Sequence, residues 1–324
     1  MVGTDGVATH APVGYKHTEA GVVPNDWGVS TVGAEFRVQL GKMLDAAKNA
    51  GVSKPYIGNR SVQWGRIDLT DIDMVALTST DLRRFRLRSG DLLVCEGGEI
   101  GRAAIWDEPI PECYFQKALH RLRPTRGYDA YLMMSMLQLW ASSGYLVDYV
   151  TQTSIAHLPK DKFETVPLAI PMPAEQRAIA AVLMDVDALI GSLEALIAKK
   201  RAIKQAAMQQ LLTGRTRLPG FEGDWGTRRI GELAHVDPEN LSASTPPDFS
   251  FNYISIDDVD AGRLAGYTKE SFQTAPSRAR RLVRAGDVLM STVRPALRGH
   301  LLFDGQLRKA VCSTGFAVLR AKRD

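Results

Sequence analysis

Arginines and side-chain amides are the residues of this sequence whose chemistry stands out. Two arginine-rich stretches, RRFRLR (Arg83–Arg88) and RARRLVR (Arg278–Arg284), lie one in each half of the chain, with further arginines at Arg121, Arg123 and Arg320. A guanidinium binds phosphate or guanine through two parallel hydrogen bonds, and an amide pairs in two places with adenine. These side chains predict a surface that binds nucleic acid, although the same arginines also fit an ordinary solvated face.

The candidate contact residues are amides, cations and small residues in polar loops. The loops Glu96–Arg102 and Ser291–Arg298 each follow an apolar run that begins with Gly-Asp, and their small residues let the backbone approach a phosphate. Two further polar stretches, Gln116–His120 and Thr151–Ser154, interrupt apolar surroundings. The predicted DNA contacts are Asn59, Arg60, Gln63, Arg66, Gly97, Gly98, Arg102, Gln116, Lys117, Gln152, Thr153, Ser291, Thr292, Arg294 and Arg298.

No constellation for catalysis is present in the sequence. It lacks a Gly-rich dinucleotide or phosphate loop, a GxSxG motif and the spacing of metal ligands. The stretch STPPDF (Ser244–Phe249) has the prolines of an adenine methyltransferase motif but not its leading Asn or Asp. The sequence therefore predicts a protein that is not an enzyme and needs no cofactor or metal.

Composition is that of a globular protein with about two domains. The 324 residues are 45% hydrophobic and 23% charged, with a net charge of +4 that permits a polyanionic partner without demanding one. No apolar run approaches the roughly 20 residues that span a bilayer, and no signal peptide begins the chain. Cys95, Cys113 and Cys312 form no CxxC pair, so a reducing cytoplasm is the default location.

An internal repeat with an offset of about 197 residues organises the sequence. Trp27-Gly28 pairs with Trp225-Gly226, and LRSGDLLV (Leu87–Val94) pairs with VRAGDVLM (Val283–Met290). Short apolar runs after Gly-Asp turns are strand signals, so each copy is predicted to be mostly β. The second copy stops before any counterpart of the region from Tyr128 to Gly214.

The strongest helical signal runs from Pro171 to Gly214. Apolar residues recur in steps of three and four, which is the a/d pattern of a coiled coil; a helix that covers a core shows a similar stripe. Acidic residues lie early and Lys199, Lys200, Arg201 and Lys204 lie late, which favours an antiparallel partner helix. The residues predicted to form the spacer helix and its partner surface are Glu175, Gln176, Ile179, Val182, Val186, Leu189, Leu193 and Leu196.

These observations predict an α+β protein: β-rich recognition domains and a long spacer helix of coiled-coil type. We expect a flexible leader at residues 1–24, a first domain at 25–170, the helix at 171–214 and a partial second domain at 215–324. The Gly- and Pro-punctuated stretch from Thr213 to Trp225 is the predicted boundary.

Three places in the chain resemble the specificity subunit of a type I restriction–modification system. IPMPAEQRAIAAVL (Ile170–Leu183) is similar to the start of that family's conserved spacer helix, and KKRAIKQAAMQQLLTGRTRLPGF (Lys199–Phe221) is similar to its lysine-rich end and linker. The paired Gly-Asp strands are similar to those of its target-recognition domains. The resemblance covers about residues 25–324.

The resemblance implies a non-catalytic reader of double-stranded DNA. In this family each recognition domain docks on one half of a bipartite sequence, and antiparallel helices set the spacing. Methyltransferase subunits that methylate adenine and restriction subunits assemble on it. The family carries two spacer helices and this chain has one, so the resemblance implies either truncation within the second domain or pairing with another chain. The alternative function is a half subunit that acts mainly as a methylase-binding or self-pairing scaffold.

Overall fold

The computed structural model describes residues 11–45, 49–152, 156–293 and 299–322. The chain divides into two compact units, Met1–Gln205 and Ala206–Asp324, each of which is described by itself. Both units combine short strands with helices, and the longest helix has 39 residues. The α+β class predicted from the sequence is confirmed.

Unit 1 carries the larger set of elements. Its strands are β1 (Tyr15–Thr18), β2 (Gly21–Pro24), β3 (Gly28–Thr31), β4 (Phe36–Leu40), β5 (Val52–Ile57), β6 (Val62–Gln63), β7 (Arg66–Ile67), β8 (Asp73–Leu77), β9 (Asp91–Cys95), β10 (Ala103–Trp106), β11 (Tyr114–Phe115), β12 (Leu119–Pro124), β13 (Thr151–Gln152), β14 (Ala156–His157) and β15 (Pro167–Ile170). Its helices are α1 (Val32–Glu35), α2 (Ser79–Phe85), α3 (Ala130–Ser143), a 3-10 turn (Tyr145–Tyr149), α4 (Lys160–Thr165) and α5 (Pro173–Leu211).

Unit 2 consists mainly of strands. They are β16 (Ala234–Val236), β17 (Ser250–Ile254), β18 (Val259–Asp260), β19 (Arg263–Leu264), β20 (Thr268–Ser271), β21 (Ala279–Val283), β22 (Val288–Ser291), β23 (His300–Leu302), β24 (Ala310–Ser313) and β25 (Phe316–Ala321). A short helix α6 (Ile230–Leu233) and a 3-10 turn (Ile256–Asp258) precede β16 and β18 respectively.

In unit 1 an antiparallel sheet of order β10-β9-β12-β4 forms the centre. One face carries Leu92 and Val94 and is covered by α3, α4 and β15. The opposite face carries Leu93 and packs with Trp106 and Phe115 in a second buried cluster. A smaller sheet, β11-β5-β8, lies on this second side and contains the parallel pair β5 and β11.

Unit 2 repeats the strand order of unit 1, with one additional strand, β21, at the edge of its second sheet. Its central sheet has the order β16-β25-β22-β23, and its other sheet, β20-β17-β24-β21, again contains a parallel pair, β17 and β24. The registers correspond: Leu92 is opposite Leu122 in unit 1, and Val288 is opposite Leu319 in unit 2. The strand order and the register therefore confirm the internal repeat.

The Gly-Asp motif makes the same turn in both units. Gly90 and Gly286 have φ angles of +87° and +88°, a left-handed conformation that favours glycine. The following carboxylates are buried and accept hydrogen bonds from one arginine of the neighbouring strand. Arg123 Nη2 donates to Asp91 Oδ2 at 2.7 Å, and Arg320 Nη2 donates to Asp287 Oδ2 at 2.7 Å.

The backbone of each turn is tied to the same carboxylate. The Arg88 amide donates to Asp91 Oδ2 at 2.8 Å, and the Arg284 amide donates to Asp287 Oδ2 at 2.8 Å. One aspartate therefore fixes both the turn and the strand beside it. The hydrogen bonds that Arg320 donates to Asp287 raise the pKa of Arg320 well above its usual value.

Helix α5 begins at Pro173, two residues later than predicted. The backbone N–H of Gln176 donates to the Met172 carbonyl, which is the first hydrogen bond of the helix. Met172 is therefore the residue that precedes the helix, and Pro171 lies outside it. The helix ends at Leu211, and Gly214 follows with a φ of +69°, as a C-terminal glycine does.

The predicted flexible leader is wrong for residues 15–24, which form the antiparallel hairpin of β1 and β2. Gly21 turns the chain with a φ of +99°, and Val23 is buried. The tertiary contact of Val23 orders a stretch whose sequence shows no periodicity. Residues 1–10 of the predicted leader lie outside the described part of the chain.

No helix within the described ranges is long and apolar enough to cross a lipid bilayer.

Replacing Asp91 with Asn should lower the free energy of unfolding of unit 1 by about 3 kcal/mol, because Arg123 loses its charged partner. Urea denaturation measures the change. Asp107→Asn, which changes an exposed carboxylate of the same unit, is the control and should shift stability by less than about 0.5 kcal/mol. Equal effects of the two substitutions would contradict the structural role of Asp91.

Candidate nucleic-acid interface

Two loops of unit 1 that contain predicted contact residues meet through the side chain and the backbone of Asn59. The Asn59 side-chain amide donates to the Gly97 carbonyl at 3.2 Å, and Arg102 Nη2 donates to the Asn59 carbonyl at 3.0 Å. Gly98 turns with a φ of +77° against the Asn59 side chain. The structure therefore brings together four of the predicted contact residues, from stretches about 40 positions apart in sequence.

Arg102 fastens these loops rather than facing solvent. Its Nη1 donates to Glu99 Oε2 at 3.1 Å, and Glu99 Oε1 accepts from Trp64 Nε1 at 2.5 Å. Only 15% of the Arg102 side chain is exposed. Both terminal nitrogens of the guanidinium therefore donate within the loops, and little of the side chain is exposed to a phosphate.

A polar cleft of about 210 Å³ lies beside these loops. It is lined by Tyr56, Asn59, Arg60 and Gln116, together with carboxylates that include Asp73. The Tyr56 hydroxyl donates to Asp73 Oδ2 at 3.3 Å, and burial and then the Asp73 charge raise the pKa of Tyr56. Donors and acceptors are mixed here, which suits the edge of a base; the carboxylates would repel a phosphate.

The parallel pairing of β5 and β11 creates this cleft. The two strands end side by side, with Tyr56 opposite Tyr114 and Ile57 opposite Phe115. Residues just after their ends, such as Arg60 and Gln116, therefore meet at one edge of the sheet.

One exposed cation lines the cleft, and two more lie close in sequence to its lining residues. Arg60, Arg66 and Lys117 are exposed and form no ion pair within the part of the chain that the structure describes. The predicted contact Gln63 instead donates from Nε2 to the Arg60 carbonyl at 2.7 Å and stabilises the turn. The three cations are thus the unit 1 candidates whose charge is available to phosphates.

The ribbon of β13 and β14 lies next to the loop after β9. Gly97 and His157 form an isolated bridge that joins them. Gln152 belongs to β13, but its side chain lies outside the described residues, as does all of Thr153.

In unit 2 the predicted hydroxyl residues donate to backbone carbonyls, one in their own loop and one in the turn between β24 and β25. The Ser291 hydroxyl donates to the Val293 carbonyl at 2.6 Å, and the Thr292 hydroxyl donates to the Gly315 carbonyl at 3.0 Å. Arg294 and Arg298, the other two candidates, lie outside the described residues.

A second cleft, of about 220 Å³, occupies the corresponding place in unit 2. Tyr253 corresponds to Tyr56, and the lining also includes Asp257, Arg278 and Ser313. The two clefts therefore share a position and a tyrosine but differ in most other side chains. Tyr253 and Asp257 were not predicted, because cations, amides and small residues were selected from the sequence. Tyr56-Ile57 and Tyr253-Ile254 recur at the offset of the repeat, and this pairing was the signal that could have found them.

Several arginines that were candidates for phosphate binding instead bond to other groups of the protein. Arg121 is buried, and its Nη1 donates to the carbonyls of Arg84 and Arg86 at the end of α2. Burial lowers the pKa of Arg121 to about 10. Arg123 and Arg320 are bound to the buried aspartates of the Gly-Asp turns.

The first turn of α5 is tied to unit 1 by Glu175 and Gln176. Trp27 Nε1 donates to Glu175 Oε2 at 3.0 Å. Gln176 is buried; its Oε1 accepts from the Asp129 amide, and its Nε2 donates to the Pro171 carbonyl, each at 2.9 Å. These two members of the predicted set therefore hold the helix in place.

Tyr131 makes a further tie between α3 and α5. Its hydroxyl donates to Asp187 Oδ2, and burial together with this bond raises the pKa of Tyr131 to about 12. This pair could not be predicted from the sequence, because its members lie far apart in the chain.

Most of the predicted apolar stripe of α5 is open to solvent. Ile179 packs partly against the core of unit 1. The remaining members are between 48% and 64% exposed, and they are Val182, Val186, Leu189, Leu193 and Leu196. An apolar row that is exposed over several turns is typical of a surface that binds a partner.

A family model for the type I restriction modification DNA specificity domain matches residues 24–202, more than half of the chain. The match includes the cleft of unit 1 and most of α5. Among curated relatives, a Methanocaldococcus jannaschii protein assigned as the type I restriction enzyme MjaX specificity subunit is 22% identical over 74% of this chain. The MjaVIII specificity subunit of the same organism is 24% identical over 89% of it.

This chain spans about three-fifths of the length of the first relative, 59%, and 68% of the second. Two solved structures have a similar fold, each over 93% of this chain. One, from work on the assembly and conformational transition of the type I R-M system, has a TM-score of 0.56, 17% identity and 76% coverage of its own length. The other, an S subunit from M. genitalium, has a TM-score of 0.53, 15% identity and 75% coverage.

Unit 1 should lose stability in mild acid through His120, which lies buried beneath the segment that follows β14. His120 Nε2 donates to the Leu158 carbonyl at 2.9 Å, and burial lowers the pKa of His120 to about 4. In the unfolded chain His120 therefore binds a proton near pH 6.5, whereas in the folded chain it stays neutral down to about pH 4. Stability should fall by about 3 kcal/mol as the pH drops from 6.5 to 4.

Urea denaturation across this pH range measures the effect. His120→Gln keeps an N–H donor for the Leu158 carbonyl without a titrating ring, so its unfolding free energy should fall less steeply over the same interval. Parallel curves for the two proteins would show that His120 does not carry the pH dependence.

Proposed function

We propose that this chain, which belongs to the type I restriction–modification DNA specificity family, reads the sequence of double-stranded DNA and performs no chemistry itself. The observation that carries the proposal is the pair of clefts at equivalent positions of two repeated units. Both combine a tyrosine, an arginine and a carboxylate, whereas their remaining lining differs. Two similar frames with different linings suit the recognition of two different half-sites.

In this proposal each unit reads one half of a bipartite target. Arg60 and Gln116 in unit 1, and Asp257 and Arg278 in unit 2, contact base edges. Arg66 and Lys117 neutralise phosphates and add affinity without sequence preference. Helix α5 acts as the spacer between a recognition domain at 25–170 and a second one at 215–324.

The open stripe of α5 supports a second part of the proposal, which concerns partners. Methyltransferase subunits bind along this helix and methylate adenine at the site that the two units select; a restriction subunit joins the same assembly. The polar order of charges on α5, acidic first and basic last, also suits a second antiparallel helix from another chain. A half subunit that pairs through this stripe is the alternative.

The proposal is tested by reconstituting the chain with the methyltransferase subunit and measuring binding to a library of random DNA duplexes. Enrichment of a two-part sequence with a fixed gap supports it. Binding without any sequence preference would contradict the reading function, and co-purification with the methyltransferase in that case would favour the scaffold.

Arg60→Ala should change base preference as well as affinity, because a guanidinium that contacts a base edge contributes about 1–3 kcal/mol of discrimination. We expect the preferred half-site to become degenerate at one position, read from the same duplex library. Arg83→Ala removes another exposed charge, on α2 and outside the lining of the cleft, and is the matched control. It should lower affinity slightly for all sequences; if both variants do only that, the cleft does not read bases.

Leu189→Asp together with Leu193→Asp should abolish partner binding, since a carboxylate in an apolar seam costs several kcal/mol. Both side chains are exposed in this chain, so its own helix content should stay unchanged by circular dichroism. Ala198→Asp places the same charge on the opposite side of α5 and should leave binding intact. Pull-down with the methyltransferase subunit separates these outcomes; binding that survives the double substitution would show that the stripe is not an interface.

A further inference from the structure

The clefts of the two units are lined by residues that occupy the same positions of the repeat. Most lining residues of the second cleft have a counterpart in the first at the same offset of about 197 residues. The pairs are Tyr56 and Tyr253, Gly58 and Ser255, Asn59 and Ile256, Arg60 and Asp257, and Gln116 and Ser313. The two clefts can therefore be compared position by position.

The turn that follows β5 and the turn that follows β17 are closed by the same backbone hydrogen bond. In unit 1 the Asp68 amide donates to the Ser61 carbonyl at 2.7 Å. In unit 2 the Ala265 amide donates to the Asp258 carbonyl, also at 2.7 Å. The residues immediately before Ser61 and Asp258, which line the clefts, therefore occupy the same place in the two turns.

These two residues carry opposite charges, since they are Arg60 in unit 1 and Asp257 in unit 2. Both side chains are exposed, and neither forms an ion pair with another residue that the structure describes. Arg278 also lines the second cleft, but it precedes β21, the strand that unit 1 lacks, and so falls outside this comparison. The charge at one equivalent position is therefore reversed between the two clefts.

Both clefts disfavour a phosphate at this position. In unit 1 the carboxylates of Asp68 and Asp73 line the same cleft as Arg60 and would repel a phosphate. In unit 2 the residue at the position is itself a carboxylate. The edges of the bases, in contrast, present both donors and acceptors in the major groove. A base edge is therefore the group of DNA that suits both side chains.

The chemistry of a base edge assigns a different base to each charge. In the major groove guanine presents two acceptors, N7 and O6, which match two N–H donors of a guanidinium. Cytosine presents its N4 amino group there, which donates to a carboxylate. Reversal of the charge on the protein therefore matches reversal of a G·C pair to a C·G pair on the DNA.

We propose that Arg60 selects guanine and Asp257 selects cytosine at the equivalent position of the two half-sites. This assignment rests on the proposed function, in which each unit reads one half of a bipartite target. It identifies one residue in each cleft that determines specificity, and it names the base that each residue takes. Opposite charges in one repeated frame thereby give two different half-sites.

Exchange of the two charges tests the assignment in the full chain reconstituted with the methyltransferase subunit. Arg60→Asp should change the preferred base from guanine to cytosine at one position of one half-site. Asp257→Arg should make the opposite change in the other half-site. Selection from a library of random duplexes measures both changes, and each preference should shift by about tenfold or more. The other positions of the motif should stay as they are for the unchanged chain.

Amide variants give a second measurement that avoids a charge reversal, in case thermal melting shows that a reversed variant folds poorly. Asp257→Asn keeps the shape of the side chain and removes its charge. Because an amide pairs with adenine in two places, the preferred base should change from cytosine to adenine. Arg60→Gln should likewise change the preferred base from guanine to adenine.

Two exposed residues outside the lining of the clefts provide matched controls. Arg83→Asp on α2 and Asp248→Arg before β17 make the same charge reversals. Both should alter affinity alike for all sequences, and neither should change the preferred base at any position.

The outcomes separate this assignment from the function on which it rests. A two-part motif that keeps its bases when the charges of Arg60 and Asp257 are reversed would overturn the assignment and leave the reading function intact. A loss of affinity that is equal for all sequences, as phosphate contacts would give, would overturn it in the same way. Absence of any motif for the unchanged chain would contradict the reading function itself, and the assignment with it.

Discussion

In both units a buried carboxylate is held by one arginine of the neighbouring strand and by the backbone of its own turn. Asp91 and Asp287 are almost fully buried, and a lone carboxylate in such a place would be strongly unfavourable. The bonds from Arg123 and Arg320 offset that cost only if the two strands keep one register. Because the loop after β9 or β22 starts a few residues later, this pair also determines where the loop begins.

The helix depends on a second set of polar contacts. Trp27 and Asp129 contact Glu175 and Gln176 in the first turn of α5, and Tyr131 contacts Asp187 three turns further on. These bonds orient the start of the helix on unit 1 while its apolar stripe stays free. A helix that is held at its start and keeps an exposed apolar stripe is suited to bind another protein through that stripe.

Local patterns allowed much of the fold to be predicted from the sequence. Residues close together in the chain were enough to predict the Gly-Asp turns and the helix that ends near Gly214. The repeat was predicted because the same residue types recur at a constant offset. The clefts could not be predicted, because the pairing of β5 with β11 brings Tyr56, Arg60 and Gln116 together from distant positions. Charge alone was misleading for Arg121 and Arg123, since a sequence shows a cation without its partner.

We propose that two similarly folded units give this chain a two-part DNA specificity. The most direct test is to map methylated adenines across the genome of two cell lines. One expresses the methyltransferase subunit together with this chain, and the other expresses the methyltransferase subunit alone. The account predicts one asymmetric two-part motif, with a gap of fixed length, that is methylated only when the chain is present. Methylation at a single undivided motif, or a pattern that does not change when the chain is absent, would contradict it.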